Sequence, residues 1–325
     1  MRVFITGATG FIGTHLVEHF ARTNHEIRCL VRKTSNLRHL KGKGMTLITG
    51  DVLDRNSILE GMAGCDWVIN LASLYSYWEP EKELFRSINI NGTKNVMECA
   101  LENGISKALH VSSVVVFGKP AVIPFNEQTP IGPIRFSEYA RTKYEGELIA
   151  RDLHKNKGLP LVIIYPGAVL GTGDTKFSGD IIRRLVNREM PTRAFDHSVI
   201  TYVHVRDVCE AILRGLEKED NIGESYIICK EELSSMEVCK MVSEISGTPM
   251  PSICPPDFVI MLNAMFLTLL ADLTKKPPIW GMSVDGMRVL KEGFRADGRK
   301  AERELEIKYT PVRVAMEEMI ASFKR

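Results

Sequence analysis

The 325-residue chain has no Cys-x-x-Cys pair, no block of basic residues, no internal repeat or low-complexity tract, and no apolar run long enough to span a bilayer. Each lack excludes a class. The seven cysteines (Cys29, Cys65, Cys99, Cys209, Cys229, Cys239, Cys254) are scattered and odd in number, which fits reduced core thiols and predicts neither a disulfide framework nor a metal site. With 42 Lys and Arg against 40 Asp and Glu the formal charge is +2. Phosphate neutralisation needs a concentrated positive excess, so no nucleic-acid partner is expected. The longest apolar stretch, 258–271, is broken by Asn263 and Thr268 and falls short of the roughly 20 residues a span requires, so no transmembrane segment is expected. The chain enters Val3-Phe4-Ile5 and a glycine-rich turn directly after Met1, which predicts no secretory leader and a cytoplasmic location.

What is present is 44% hydrophobic and 25% charged, enough at this length to bury a core without staples. The apolar runs RVFIT, EIRCLV, MTLIT, DWVINLA, KALHVSS and PLVIIYP alternate with helical stretches such as THLVEHFART. Continuous apolar strands separated by helices predict an α/β fold with a doubly wound parallel sheet of the Rossmann type. After Pro166-Gly167 the pattern loosens into a strand-like VITYVHV, a helix from Asp207, a strand SYIIC, a helix opening near Ser234-Ser235 and a last helix from about Val312 to Phe323. The division expected is residues 1–168 as a nucleotide-binding unit, joined again by segments near 200–218, and 169–325 as a smaller, partly interleaved substrate domain.

Gly7-x-x-Gly10-x-x-Gly13 lies between the first strand and the first helix. Glycines there permit a tight turn and let backbone N–H groups approach a pyrophosphate at the helix N-terminus. An acid after the second strand would bind the ribose 2′-OH of NAD, but the chain reads Arg32-Lys33-Thr34-Ser35 followed by Arg38. Guanidinium groups attract a 2′-phosphate, so NADP is favoured over NAD. Asp51, in Gly50-Asp51-Val52, is placed either at the adenine edge or as the cap of the following helix.

Tyr139-x-x-x-Lys143 is the candidate catalytic pair: a helix puts i and i+4 on one face, where an ammonium lowers the pKa of a phenol. Among eight tyrosines and twenty lysines the spacing also arises by chance, and Tyr226-x-x-x-Lys230 repeats it. That second pair reads as a strand, where i and i+4 lie roughly 13 Å apart, and is discarded. Tyr139 follows one βα unit after His110-Val111-Ser112-Ser113, whose serines stand at the carboxyl end of a strand where ligands bind. Ser113, with Ser112 as second choice, is the group that polarises a substrate carbonyl.

Together these motifs resemble the extended short-chain dehydrogenase/reductase superfamily. The matching residues are TGATGFIG at 6–13, GDV at 50–52, NLAS at 70–73, NINGT at 89–93, SSVVVFG at 112–118, YARTK at 139–143, YPGAVLG at 165–171 and HVRDV at 204–208. The resemblance implies that Ser113, Tyr139 and Lys143 form the catalytic set, with Asn89 supporting it. It implies cofactor contacts from Gly7, Thr9, Gly10, Phe11, Ile12, Gly13, Val52, Leu71, Ala72, Ser73, Pro166, Gly167 and Val169, and a homodimer formed through helices of the sheet domain. Two departures bear on substrate. Ile200 stands where many nucleotide-sugar members carry a diphosphate-clamping Arg, and Tyr165 replaces a frequent Arg, a change expected to reshape the pocket. With Arg32, these features are similar to the dihydroflavonol-reductase-like subgroup.

The reading that results is an NADP-dependent oxidoreductase acting on the carbonyl or alcohol of a small or lipophilic molecule. A sugar or nucleotide-sugar epimerase or dehydratase with tightly bound NAD uses the same three residues, and a non-catalytic NADP sensor is disfavoured because Tyr139 and Lys143 are both present. The greasy segment 258–271 reads as a pocket wall, a peripheral membrane contact, a buried helix or a dimer contact.

Overall fold

In the computed structural model, which describes residues 1–323, the apolar runs form strands and the intervening stretches form helices. Lys324 and Arg325, the end of the expected 169–325 unit, lie outside the described residues. The first half runs β1 (Arg2–Thr6), α1 (Phe11–Phe20), β2 (Glu26–Val31), β3 (Thr46–Thr49), α2 (Arg55–Met62), β4 (Trp67–Asn70), α3 (Glu83–Phe85), a π-helical segment (Arg86–Gly92), α4 (Thr93–Glu102), β5 (Lys107–Val111), a 3-10 turn (Val114–Phe117), α5 (Glu138–Lys157) and β6 (Leu161–Pro166). The second runs β7 (Ala168–Leu170), α6 (Phe177–Val186), β8 (Val199–His204), α7 (Val205–Glu217), β9 (Ser225–Ile228), β10 (Glu231–Ser234), α8 (Ser235–Ser246), α9 (Asp257–Thr274), α10 (Val284–Glu292), α11 (Arg299–Glu304) and α12 (Val312–Phe323).

Seven parallel strands pair in the order β3-β2-β1-β4-β5-β6-β9. Successive residues of each strand face opposite sides. Ile5, Ile69, Leu109 and Ile164 therefore pack under α1 and α7, while Phe4, Val68, Ala108 and Ile163 pack under α2, α4 and α5. The chain order reverses between β1 and β4, which opens a crevice at the carboxyl ends of these strands. The segment that returns to this sheet from the second half is α7 with β9; β8 instead joins a separate three-stranded sheet, β10-β8-β7.

The small sheet carries α6, α8 and α12 around a core of Leu170, Ile182, Tyr202, Val242, Met316 and Met319. Ser234 caps α8 in a reciprocal capping box with Glu237. A last cluster joins Phe195 and Met287 to Ile260 and Ala264 of α9; against the expectation from the interrupted 258–271 stretch, this helix of 18 residues is, among the described residues, the one long and apolar enough to cross a membrane, because Asn263 and Thr268 do not break it. Only one stripe of α9 is buried, and its Phe258, Leu262, Phe266 and Leu273 are 66, 59, 64 and 74% exposed. Each such side chain left bare forgoes about 1.5–3 kcal/mol of burial. The seven cysteines are free thiols, five of them buried.

Candidate active site

The three glycines of the first turn do different work. Gly7 has φ +74° and passes so close to β4's exit that a Cβ would stand 2.7 Å from Ala72 N; a Cβ on Gly13 would stand 2.2 Å from Gly7 O. These two draw helix and strands together. Gly10 is exposed and is the N-cap of α1, which has no side-chain cap and no acid in its first turn. Gly10 N–H itself donates to Gly7 O at 3.0 Å, and the N–H groups of the turn that follows it stand at an uncapped, electropositive helix end, which suits an anionic pyrophosphate.

Tyr139 and Lys143 lie in the first two turns of α5, started by Ser137, whose hydroxyl accepts from Ala140 N at 3.1 Å. Both are buried, and burial pushes the Tyr139 phenol up to about 12, while the hydroxyls of Ser113 and Ser73 beside it pull it back down. The expectation that Lys143 lowers the phenol is therefore corrected: the Lys143 ammonium donates to Val111 O at 2.8 Å, and burial brings its own pKa down to about 8 against the pull of Glu147. In this site Tyr139 holds its proton at neutral pH.

The two serines differ in their partners, and the difference is a buried carboxylate. Ser112 donates to Glu147 Oε2 at 2.7 Å and is spoken for, whereas Ser113 stands beside the Tyr139 phenol. Glu147 also takes the Tyr165 hydroxyl and Arg151 Nε, the latter at 2.8 Å. Tyr165 thus corrects a second expectation. It does not shape the pocket: its ring lies on the far side of the sheet, 5.2 Å from Phe117, and burial beside Glu147 drives its phenol pKa well up.

Asn89 sits in the π-helical segment with every polar atom engaged. Its Oδ1 accepts from Leu74 N (2.7 Å) and Ser73 Oγ (3.1 Å), and its Nδ2 donates to Thr142 Oγ1 (3.0 Å) and Leu74 O (3.3 Å). It stands behind the cavity and ties the loop after β4 to α5. Gly146 permits this approach, since a Cβ there would lie 2.2 Å from Asn89 O.

One cavity of about 960 Å³ runs from the glycine turn past Tyr139 into the small sheet. Every residue assigned above to the cofactor lines it except Arg38, which is exposed on the following turn, its backbone N–H held by Asn36 Oδ1 at 3.1 Å. Arg32 lines it together with Ser35, whose hydroxyl accepts from Arg32 N at 3.1 Å. Asp51 and Val52 line it as well; the cap of α2 is Asp54 and not Asp51. These residues fit a dinucleotide: an uncapped helix end, a glycine cradle and cationic side chains at the end of β2. Sequence reading missed Tyr75 and Tyr77, whose rings lie 5.0 and 6.2 Å from that of Tyr139, although the aromatic run Leu74-Tyr75-Ser76-Tyr77-Trp78 was its signal. It also missed Glu147 and Thr142.

Against known proteins, the description "NAD dependent epimerase/dehydratase family" matches residues 3–229. A Synechocystis sp. protein assigned as a dihydroflavonol 4-reductase is 27% identical over 99% of this chain and 94% of its own. Sterol demethylase protein B of Methylococcus capsulatus is 27% identical over 100% and 98%. Among solved structures, gox2253 superposes with a TM-score of 0.86 at 28% identity, covering 99% and 98% of the two chains. UDP-glucuronic acid 4-epimerase from Bacillus cereus, in complex with UDP-glucuronic acid and NAD, superposes at 0.80 and 22% identity, covering 100% and 99%. Proteins named as reductases and as epimerases are thus both among the relatives, and the chain belongs to the NAD dependent epimerase/dehydratase family, with dependence on NAD or NADP.

Proposed function

We propose that the chain is an NADP-dependent reductase of a lipophilic carbonyl compound. The observation that carries this reading is the wall of the cavity beyond Tyr139. Tyr77, Phe177, Leu185, Ile200, Val238 and Leu290 make much of it apolar, and Ile200 stands where the resemblance places a diphosphate-binding Arg in many nucleotide-sugar members. Arg193, which also lines it, is already paired with Asp196 at 3.0 Å. Lys176 lines the cavity as well, but Asp174 and Asp180 line it beside that lysine. A sugar diphosphate would thus meet little net positive charge there, whereas an apolar skeleton would be desolvated along most of the wall. The sterol named in one relative is a molecule of that class. At the other end of the cavity, Arg32 supports a 2′-phosphate.

When bound, the nicotinamide supplies the hydride. Ser113 would donate a hydrogen bond to the substrate carbonyl oxygen, and Tyr139, protonated at neutral pH, would pass its phenolic proton to that oxygen. Lys143 would hold the cofactor's ribose side, and Gly10 with the first N–H groups of α1 its pyrophosphate.

The test is a fluorescence titration with NADPH and NADH, a search for co-purifying cofactor, and a screen of aldehydes, ketones and sterol-like carbonyls followed by NADPH oxidation. Micromolar NADPH binding, much weaker NADH binding and turnover of an apolar carbonyl are expected. Tightly held NAD without net oxidation would overturn the reading in favour of epimerisation, the activity named for the Bacillus cereus neighbour, or of dehydration.

A further inference from the structure

We propose that the bare face of α9 docks flat on an anionic lipid surface, with the cavity opening beside it. The helix is fixed to the protein along its length. Ile260, Ala264, Leu267 and Ala271 are buried at successive turns, Thr268 Oγ1 accepts from Val284 N at 2.9 Å, and Asp272 accepts from the Trp78 indole at 2.9 Å. Held this way, α9 has the length and composition to cross a membrane but lies on the surface of the fold.

On its outer side Phe258, Leu262, Met265, Phe266, Leu269 and Leu273 are between 56 and 74% exposed. Their spacing puts them on one stripe about 22 Å long. No charge interrupts it. The two carboxylates of the helix turn to protein partners, Asp257 to Lys291 (3.6 Å) and Asp272 to Lys82 (3.7 Å). Just beyond the C-terminal end, Lys275 and Lys276 are exposed with no ion pair among the described residues, and the Trp280 ring is 47% exposed. Apolar stripe, free lysines and a half-exposed indole are complementary to an interface of acyl chains and anionic headgroups.

The position of the cavity argues for lipid over a second copy of the chain. Val259, Asn263 and Trp280 both line the cavity and are exposed, so it reaches the surface along the edge of this stripe. A protein seated on the stripe would cover that opening, whereas a fluid bilayer would leave it facing a reservoir of apolar molecules. The docking stands on α9, the lysines and indole that follow it and the cavity mouth at its edge; only the delivery of a bilayer-dissolved substrate rests on the reductase reading.

The experiment is co-sedimentation of the full chain with vesicles of phosphatidylcholine and phosphatidylglycerol, and with phosphatidylcholine alone. Binding to the anionic vesicles is expected, with a blue shift of tryptophan emission that Trp280→Phe removes. The double variant L262E/F266E should bind at least tenfold more weakly, and K275E/K276E should lose the preference for anionic vesicles. These four side chains pack nowhere in the cavity, so NADPH titration of both double variants should match the wild type and show that they are folded. Wild-type protein left in the supernatant, or L262E/F266E binding as well as wild type, would overturn the proposal. So would a lower mass of L262E/F266E by light scattering without vesicles, which would make the face a contact between chains. Vesicle binding without turnover of any carbonyl would sustain the docking and sink the reductase reading.

Discussion

Lys143 is a cation placed where burial penalises charge. Between about pH 8, its folded pKa, and 10.5, its ordinary value, the folded chain has released a proton that the unfolded chain keeps, so stability rises with pH across this window. Below pH 8 both states are protonated and the full penalty stands, on the order of 3 kcal/mol. The cofactor-free Lys143→Met variant should therefore be more stable than the wild type at pH 7, and urea titrations should show that advantage shrinking toward pH 10. A gap constant with pH would mean that the ammonium is solvated. Tyr139 calls for the opposite kind of test, because removing its hydroxyl leaves the packing of the ring intact. Tyr139→Phe should lower turnover by about 10²–10⁴-fold while NADPH titration gives an unchanged affinity. Retained turnover would remove the proton-donor role.

At the scale of elements, the active site depends on how closely α5 approaches the π-helical segment. A methyl at Gly146 would meet Asn89 O at 2.2 Å, a backbone atom that cannot swing aside. Gly146→Ala should cost about 1–3 kcal/mol, read as a lowered melting temperature, and should cut kcat more than tenfold because the same helix carries Tyr139. Gly215→Ala in α7 is the control, since its Cβ would lie 3.4 Å from Leu109 Cδ1, an ordinary contact. Equal effects at the two positions would refute the argument. The same comparison marks how far the sequence was legible. Apolar runs, glycine spacing and the i, i+4 pair sufficed for the parallel sheet, the turn after β1 and the Tyr139 face of α5, because each has a local periodic mark. The π-helical segment has none: seven residues with a shifted hydrogen-bond pattern look like any helix. Tyr165 was misplaced because alternation along β6 sends Ile164 toward α7 and Tyr165 toward α5, a parity that a continuous apolar run conceals. Ser112 and Ser113 differ only through Glu147, 35 residues from Ser112.

At the scale of the molecule, the site is assembled at the seam between the two sheets. The N-terminal turn of α5 belongs to the large-sheet unit, yet its Glu138 N–H is held at 2.8 Å by Asp285 of α10, and burial raises the pKa of that carboxyl despite the bond. A carboxylate at the start of a helix is stabilised by the helix dipole, so the small unit pins the turn that carries Tyr139 through one electrostatic contact. Asp285→Ala would leave Glu138 N–H without this acceptor and free the turn to shift. A lost cap costs about 0.5–2 kcal/mol, whereas a displacement of about 1 Å at a reacting group costs on the order of 10²-fold in rate. Turnover should therefore fall much more than stability, and Asp285→Asn, which keeps an acceptor oxygen, should recover most of the rate. The cofactor should bind both variants as it binds the wild type, because the glycine turn and Arg32 lie at the other end of the cavity. If Asp285→Ala lost stability and rate in proportion, or if Asp285→Asn rescued neither, the two units would be joined by packing alone and Asp285 would have no part in positioning Tyr139.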